Sequence, residues 1–357
     1  MGKDVFCSGS HWQASSGFNL YIDISSACNA SCAFCIAPTV GRKDGPKFFN
    51  GARFALDLTE KINGTVQIVG GEPMISRRLP ELLKEIGMHT YRRVVLNTNG
   101  TGISDEKLSE MNLAGVTHVN VSRHHYDEQR NQNIMHLRPE LPNAALASGI
   151  VRIKDSGIDV RMQCNLIREQ IDSLQGVISY NKWSNDLGCK EVSFSQIFPL
   201  SLFDYQRPIE VGYTEKVQID LRQLVADIDA CSKFLPAPEN YRSGDGMSPW
   251  GSSFWGSGAR RRFWFGPEDT RFSLKTLSGY DKSGLPKKTA YNKKDDWELQ
   301  DGVLAFAVLH SDGTVTASWD RRERQLFNQY ASAHEQRFEV LESSPLPQPR
   351  MAGVVVV

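Results

Sequence analysis

Apolar and β-branched residues in the first 200 positions gather in short runs, and segments with helical spacing separate these runs. Short apolar runs bounded by polar or glycine-containing turns are typical of buried strands. The runs cover residues 18–25, 66–71, 93–98, 117–122, 159–166 and 191–198. Each run predicts one β-strand.

The segments between these runs place apolar residues on one helical face. Residues 76–88 carry leucines and an isoleucine at this spacing, with Ser76 as the expected N-cap. Residues 104–114 begin with Ser104 and two acidic residues, and a helix dipole favours acids in its first turn. Strands that alternate with helices predict a parallel sheet with right-handed crossovers.

The pattern changes after residue 200. Residues 214–235 predict one amphipathic helix that Thr214 caps. Residues 236–301 have little periodicity and many glycine, serine and tryptophan residues, which predicts a long, irregular, lid-like segment. Two β-like runs at 304–309 and 314–319 flank an Asp-Gly pair, which indicates a β-hairpin.

Composition narrows the class of protein. The 357 residues are 40% hydrophobic and 23% charged, with 41 basic and 41 acidic side chains. These values are typical of a globular protein, and they argue against disorder and against binding of extended nucleic acid. The longest apolar stretches are too short to cross a bilayer, and residues 1–6 lack the apolar core of a secretory signal. We therefore expect a cytoplasmic location and no membrane partner.

Three of the seven cysteines, Cys28, Cys32 and Cys35, stand within eight residues. This odd, clustered set does not fit a disulfide framework, and its C-x3-C-x2-C spacing predicts a metal site. A closed structural zinc site takes four ligands, whereas three thiolates on a [4Fe–4S] cluster leave one iron open to a substrate. The spacing favours the cluster, with zinc and coincidence as the alternatives.

The cysteine loop resembles the signature C-x3-C-x-aromatic-C of the radical S-adenosylmethionine (SAM) enzymes, with Phe34 in the aromatic position. Residues 69–73, Val-Gly-Gly-Glu-Pro, resemble the GGEP motif of that superfamily. Residues 96–101, Leu-Asn-Thr-Asn-Gly-Thr, resemble its third-strand segment. The three motifs follow one another in the order and spacing of the family.

This resemblance implies an α/β fold built on a partial (β/α)6 TIM-like barrel, with the motifs at the carboxyl rim of the strands. A C-terminal extension with a helix, the lid-like segment and the hairpin would follow the barrel. The expected organisation is an N-terminal extension at 1–17, the barrel at 18–200, a substrate-capping extension at 201–342 and a loose tail at 343–357.

The resemblance also implies a [4Fe–4S] cluster on the three cysteines and SAM as cofactors. Glu72 would bind the methionyl ammonium of SAM through a charge-assisted contact. The other expected SAM contacts are Phe34, Gly70, Gly71, Pro73, Thr98, Asn99, Ser122, Arg123 and Asn165. Turn formation is the alternative role for the Gly-Gly-Glu-Pro segment, and turn capping is the alternative for Thr98 and Asn99.

Candidate substrate residues follow the predicted strands. His124, His125 and Asp127 come directly after the run at 117–122 and are candidate catalytic groups, with a solvated loop as the alternative. Cys164 is a candidate hydrogen-atom donor, although a buried, inert cysteine is the commoner case. The candidate substrate-binding residues are Tyr126, Gln196, Arg260, Arg261 and Arg262.

No cysteine follows Cys231, and Ser318 and Trp319 stand where related peptide maturases often carry a cysteine after the hairpin. The sequence therefore predicts a single-cluster enzyme. It would reductively cleave SAM to methionine and a 5′-deoxyadenosyl radical that takes a hydrogen atom from a small polar metabolite, phosphorylated, nucleotide-like or sugar-like.

The expected partners are the small-molecule substrate and an electron donor such as flavodoxin or ferredoxin. Modification of a peptide or an RNA is the alternative within the family. A zinc-dependent binding module is the alternative outside it.

Overall fold

The computed structural model of the chain describes residues 3–7, 9–35, 44–202, 208–236, 260–276, 282–283, 285–287, 302–319, 324–327 and 338–342. The described strands join into one mixed sheet with helices packed against it. Much of the predicted lid-like segment and the whole predicted tail lie outside the described residues.

The centre of the sheet is the predicted set of parallel strands. They are β2 (Ser10–Asp23), β3 (Thr65–Val69), β4 (Arg93–Thr98), β5 (His118–Ser122), β6 (Asp159–Leu166) and β7 (Glu191–Gln196). Each pairs in parallel with the next along the chain. Strand β2 begins eight residues before its predicted start, because β1 (Lys3–Cys7) pairs antiparallel with its first half.

The helices that cross between these strands cover their outer face. They are α1 (Phe48–Ile62), α2 (Leu79–Ile86), α3 (Asp105–Leu113), α4 (Glu128–Met135), α5 (Asn143–Asp155) and α6 (Leu174–Asp186). Ser104 caps α3, since its side chain accepts a hydrogen bond from the Lys107 amide. Within the described part of the chain, no helix is long and apolar enough to span a membrane.

The predicted start of α2 at Ser76 is wrong. The helix begins at Leu79, with a proline in its first turn, where a missing amide hydrogen costs least. A short 3-10 helix at Pro73–Ile75 comes first, and the Glu72 side chain caps it. Ser76 ends that turn, and its hydroxyl accepts from the Arg78 amide.

The single helix predicted at 214–235 is also wrong. The structure contains α7 (Pro208–Lys216) and α8 (Leu221–Ala230) instead. The Asp220 carboxylate accepts from two amides in the first turn of α8 and starts a new helix there. Thr214 lies buried inside α7, where its hydroxyl accepts from the Leu200 amide.

Residues 260–276 form strands rather than a lid, which corrects the prediction for this part of the chain. Strand β8 (Phe234–Pro236) pairs antiparallel with β9 (Arg260–Phe265), and β9 with β10 (Thr270–Lys275). Strand β10 then pairs in parallel with β7. Apolar side chains that alternate along β9 and β10 are buried, namely Phe263, Phe265, Phe272 and Leu274.

The predicted C-terminal hairpin is confirmed and extends the other side of the sheet. Strand β11 (Val303–Leu309) pairs antiparallel with β12 (Val315–Thr316) and in parallel with β2. Gly313 turns the chain with a φ of +95°. Strand β12 pairs antiparallel with β13 (Gln325–Phe327), and β14 (Phe338–Glu342) pairs antiparallel with β1.

The parallel part of the sheet therefore runs in the order β11-β2-β3-β4-β5-β6-β7-β10. It is a partial TIM-like barrel that does not close. Because side chains alternate across each strand, residues such as Leu20 and Ile22 pack under the helices, while Tyr21 between them faces the inside of the barrel.

Candidate active site

A cavity of about 290 Å³ lies inside the barrel and opens at the carboxyl ends of the parallel strands. The cysteine loop, the Gly-Gly-Glu turn after β3 and the end of β4 all line it. Residues of β5, β6, β7 and β10 complete the wall. The three sequence motifs therefore meet at one site, on the face where β/α barrels carry their chemistry.

Cys28, Cys32 and Cys35 line one edge of this cavity together with Phe34. Burial raises the pKa of Cys28 and of Cys32, and the neighbouring thiols contribute to the rise at Cys32. The end of α4 holds the cysteine loop, since the Ser31 amide donates to the Met135 carbonyl. Among the described residues, no group of three His, Cys, Asp or Glu side chains is arranged to hold a single metal ion.

The two glycines after β3 let the turn lie directly against the cysteine loop. The Gly71 amide donates to the Ser25 carbonyl at 2.7 Å, and the Glu72 amide donates to the Ala27 carbonyl at 2.8 Å. A Cβ at Gly71 would stand 1.9 Å from the Ala27 oxygen. Gly70 has a φ of +123°, which side chains disfavour. The glycines are thus required by the close approach of two backbones.

Glu72 is only 1% exposed, and three hydrogen bonds fix its carboxylate. Oε1 accepts from the Thr98 hydroxyl at 2.6 Å and from the Met74 amide at 2.9 Å, and Oε2 accepts from the Asn99 amide at 2.6 Å. Burial raises its pKa to about 7, and the hydrogen bonds oppose that rise. The carboxylate is therefore oriented at the cavity wall, where a cation would stabilise its charge.

Asn99 braces the cysteine loop against the end of β4. Its Nδ2 donates to Asn29 Oδ1 at 2.8 Å, and its Oδ1 accepts from the Thr101 amide at 3.0 Å. Asn29 in turn donates to the Thr101 hydroxyl. Asn99 thus caps its own turn and joins two motifs. Thr98 also lines the cavity, while its hydroxyl hydrogen is directed to Glu72.

The predicted residues at the ends of β5 and β6 divide between the two faces of the sheet. Ser122 and Asn165 line the cavity. Arg123 lies outside the cavity lining and is buried, with Nη2 donating to the Leu141 carbonyl at 2.6 Å. The Cys164 thiol also faces the other way, toward the His124 carbonyl. Alternation along a strand explains both departures from the prediction.

Of the four residues predicted at 124–127, only His124 lines the cavity. Its Nδ1 accepts from the Asn165 amide at 3.0 Å, and its ring meets the edge of Phe34 with centroids 4.8 Å apart. Burial lowers its pKa to about 3, so the ring is neutral with its proton on Nε2. His124 is placed to position Phe34 rather than to exchange protons.

His125, Tyr126 and Asp127 form the approach to α4 instead of a catalytic cluster. His125 Nδ1 accepts from the Asp127 amide, and Asp127 caps α4 by accepting from the Arg130 amide. Neither these side chains nor Tyr126 belong to the cavity lining. Their positions outside the cavity lining do not support the roles predicted for them.

The arginines predicted to bind substrate lie on β9, which pairs with β10 beyond the parallel strands of the barrel. Arg261 pairs with Asp229 of α8 at 2.7 Å, and neither it nor Arg262 lines the cavity. The Arg260 side chain lies outside the description. Gln196, by contrast, does line the cavity. Pro73 is buried and starts the 3-10 helix behind the wall.

Sequence reasoning missed the polar interior of the barrel. Arg161 Nε donates to Asn120 Oδ1 at 3.1 Å, Asn120 Nδ2 to Asn97 Oδ1 at 2.8 Å, and Asn97 Nδ2 to Gln67 Oε1 at 3.3 Å. Lys275, on the strand that the prediction lacked, lines the same cavity. Polar residues at alternate positions of β6, at 161, 163 and 165, are the signal that could have revealed this interior.

Residues 22–178 match the family model of the Radical SAM superfamily. The chain carries a radical SAM domain. Members of this superfamily use a [4Fe–4S] cluster and SAM, and SAM-bound structures are among the similar folds. The matched residues contain the cysteine loop, the Gly-Gly-Glu turn and strands β3 to β6.

Curated relatives of the radical SAM domain include proteins named GTP 3′,8-cyclase. A probable one from Sulfolobus acidocaldarius is 25% identical over 196 residues, covering 52% of this chain and 57% of that protein. One from Aquifex aeolicus is 26% identical over 155 residues, covering 42% and 48%. The chain thus spans about half the length of these relatives.

Solved structures share the fold at low identity. SuiB from Streptococcus suis, bound to its precursor peptide SuiA, matches with a TM-score of 0.53 at 15% identity over 85% of this chain and 60% of SuiB. SuiB bound to SAM matches with a TM-score of 0.52 at 16% identity, with the same coverage. These likenesses support the architecture of an unclosed barrel.

The residues of the radical SAM domain fit both cofactors of the superfamily. Three thiols share one cavity edge with an aromatic ring, and thiolates are the ligands of iron–sulfur clusters. An oriented carboxylate stands on the adjacent wall. Neutral polar groups of Ser122 and Asn165 face the same space.

Proposed function

We propose that this chain is a radical SAM enzyme whose cavity would hold one [4Fe–4S] cluster and SAM. Cys28, Cys32 and Cys35 would ligate the cluster, and Glu72 would bind the methionyl ammonium of SAM. The observation that carries the proposal is that the three thiols, the Phe34 ring and the Glu72 carboxylate all line one cavity.

The chain's own residues orient SAM in this proposal. Glu72 offers its negative charge to the methionyl ammonium, while Thr98 and Asn99 hold the Glu72 carboxylate in place. Phe34, packed on His124, contacts the adenine of SAM. Ser122 and Asn165 offer polar atoms to the ribose and to the methionyl carboxylate of SAM. When bound, cluster and SAM supply a 5′-deoxyadenosyl radical that takes a hydrogen atom from the substrate.

We propose a small polar metabolite as the substrate, with phosphorylated, nucleotide-like and sugar-like compounds as the leading classes. The polar side chains of the barrel interior support this choice. Relatives named GTP 3′,8-cyclase favour a nucleotide. The peptide-bound SuiB keeps a peptide as the second candidate.

A one-electron donor of the flavodoxin or ferredoxin type is the proposed protein partner. Reductive cleavage of SAM consumes one electron for each radical formed, so the reaction requires such a donor. Cys28 is the most exposed of the three thiols that line the cavity, which leaves a route for the electron to reach the cluster. The balanced net charge speaks against nucleic acid as a partner.

Anaerobic turnover tests the proposal. Reconstituted protein with SAM and dithionite should form 5′-deoxyadenosine, and a deuterated metabolite extract should place deuterium in it. Cys28→Ala should form none, while Cys231→Ala, outside the cavity, should behave as wild type. Formation of 5′-deoxyadenosine by the Cys28→Ala protein would contradict the assignment.

The same assay separates the substrate classes. The extract is divided by ultrafiltration into metabolites and peptides before addition. Deuterium transfer from the small fraction supports a metabolite. Transfer from the peptide fraction alone would replace it with the second candidate.

A further inference from the structure

One arginine holds the backbone on both sides of the cysteine loop. Arg78 directly precedes α2. Its Nη1 donates to the Ile24 carbonyl at 3.1 Å, and its Nη2 donates to the Gly45 carbonyl at 2.7 Å. Ile24 precedes the three cysteines along the chain, and Gly45 follows them. A single guanidinium therefore joins the backbone that enters the loop to the backbone that follows it.

The same guanidinium contacts the C-terminal hairpin. Nη1 of Arg78 also donates to the Ser311 carbonyl at 2.8 Å, in the turn between β11 and β12. This carbonyl accepts a second hydrogen bond, from the Gly45 amide at 2.9 Å. A Cβ at Gly45 would stand 2.5 Å from the Asp312 oxygen. The hairpin turn thus lies directly against the backbone that follows the cysteine loop.

Asp44 and Phe48 orient the arginine. The Arg78 guanidinium lies over the Phe48 ring, 4.5 Å from its centroid, and the Asp44 carboxylate lies 4.0 Å from Nη1. Asp44 also accepts from the Ser25 hydroxyl at 3.0 Å and from the Ser26 amide at 2.9 Å. The arginine side chain is only 19% exposed, and shielding from water strengthens hydrogen bonds from a charged donor.

We propose that Arg78 is a positioning residue for the [4Fe–4S] cluster and that the C-terminal hairpin acts on the cluster through it. This inference rests on the proposed function and assigns a task to the hairpin, which carries no cysteine. Arg78 does not line the cavity, so it acts on the thiols through the backbone that carries them. Without the arginine, the loop opens more often and the cluster iron is lost faster.

Iron release measures how firmly the loop holds the cluster. Reconstituted wild type, Arg78→Ala and Arg78→Lys are mixed anaerobically with a colour-forming ferrous chelator. Arg78→Ala should release iron roughly 10- to 100-fold faster than wild type, because it removes charge-assisted hydrogen bonds. Arg78→Lys keeps the charge without the planar fork of donors, so its rate should lie between the two. Arg78→Lys also serves if Arg78→Ala fails to fold.

Gly45→Ala tests the hairpin separately, because its Cβ would press on the Asp312 carbonyl while Arg78 is retained. It should release iron roughly 10-fold faster than wild type.

Arg152→Ala is the matched control. Arg152 also makes three hydrogen bonds, two to Asp105 and one to the Ile103 carbonyl, and none of them involves the cysteine loop. Its iron release should equal that of wild type.

Hydrogen exchange of the iron-free chain separates this inference from the proposed function. Peptides that contain residues 24–35 should exchange faster in Arg78→Ala than in wild type, and Arg152→Ala should leave them unchanged. Iron release at the wild-type rate by Arg78→Ala or by Gly45→Ala would overturn the inference, and so would unchanged exchange of these peptides in Arg78→Ala. Wild-type protein that binds no iron would instead contradict the proposed function.

Discussion

The rim of the cavity and the interior of the barrel are both polar, but different contacts hold them. At the rim, backbone amides and carbonyls supply many of the hydrogen bonds, as at Gly71 and Glu72. In the interior, side chains bond to one another, from Arg161 through Asn120 to Gln67. The geometry of the rim therefore depends on the backbone fold, which suits the binding of a cofactor. The side chains of the interior can change without moving the backbone, which suits a choice among substrates.

Gly71→Ala should break the rim and gives the largest expected effect. Its Cβ would meet the Ala27 carbonyl at 1.9 Å, and neither backbone can move without losing the hydrogen bonds between them. We expect the free energy of unfolding to fall by at least about 3 kcal/mol. Gly212→Ala is the control, since nothing lies within 4 Å of its Cβ. Urea denaturation with equal stability for both variants would contradict the account.

The stability of the cofactor-free protein should depend on pH through Glu72. Burial raises its pKa from 4.5 to about 7. The folded state thus binds this proton more tightly than the unfolded state, so the stabilisation is complete below pH 4.5 and is lost as the pH rises through 7. The loss should be about 3 kcal/mol. Urea denaturation should show it in wild type and not in Glu72→Gln, and identical pH profiles would refute it.

Glu72→Gln should also weaken SAM binding with the cluster in place. The variant removes the charge opposite the methionyl ammonium, so affinity should drop roughly 10- to 100-fold. Equilibrium dialysis of the reconstituted proteins measures it. Glu85→Gln removes a buried carboxylate that pairs with Arg53 outside the cavity, and it should bind SAM as wild type does. Equal loss in both variants would point to a general effect on folding.

Cys164→Ala should give the smallest effect. It tests whether this residue of β6 belongs to the barrel interior. The thiol faces the His124 carbonyl on the helix side of β6 and does not line the cavity. We expect 5′-deoxyadenosine formation within about twofold of wild type, because the thiol touches no reacting atom. A variant that cleaves SAM but no longer turns over its substrate would restore the hydrogen-donor role.

The rim could be predicted from the sequence because its residues lie in short contiguous motifs. Cys28 to Cys35, Gly70 to Glu72 and Thr98 to Asn99 are each a few residues long, and all line the cavity. Parallel strands deliver their ends to one rim, so order along the chain was enough to bring the motifs together.

The interior could not be predicted in the same way. Arg161 and Asn120 are single polar residues within apolar strands, and Lys275 lies on a strand that the irregular composition of 236–301 concealed. The sequence makes His125 and Asp127 candidate catalytic groups, and the same polar residue types also serve in helix capping, as these two do. Only the direction in which each side chain points distinguishes a helix cap from a group that lines the cavity.

The iron content of anaerobically reconstituted protein tests the central claim most directly. If the rim holds one [4Fe–4S] cluster, wild type and Cys231→Ala should bind about four irons per chain. The triple variant of Cys28, Cys32 and Cys35 to Ala should bind none. Iron retained by the triple variant, or about eight irons in wild type, would contradict the account.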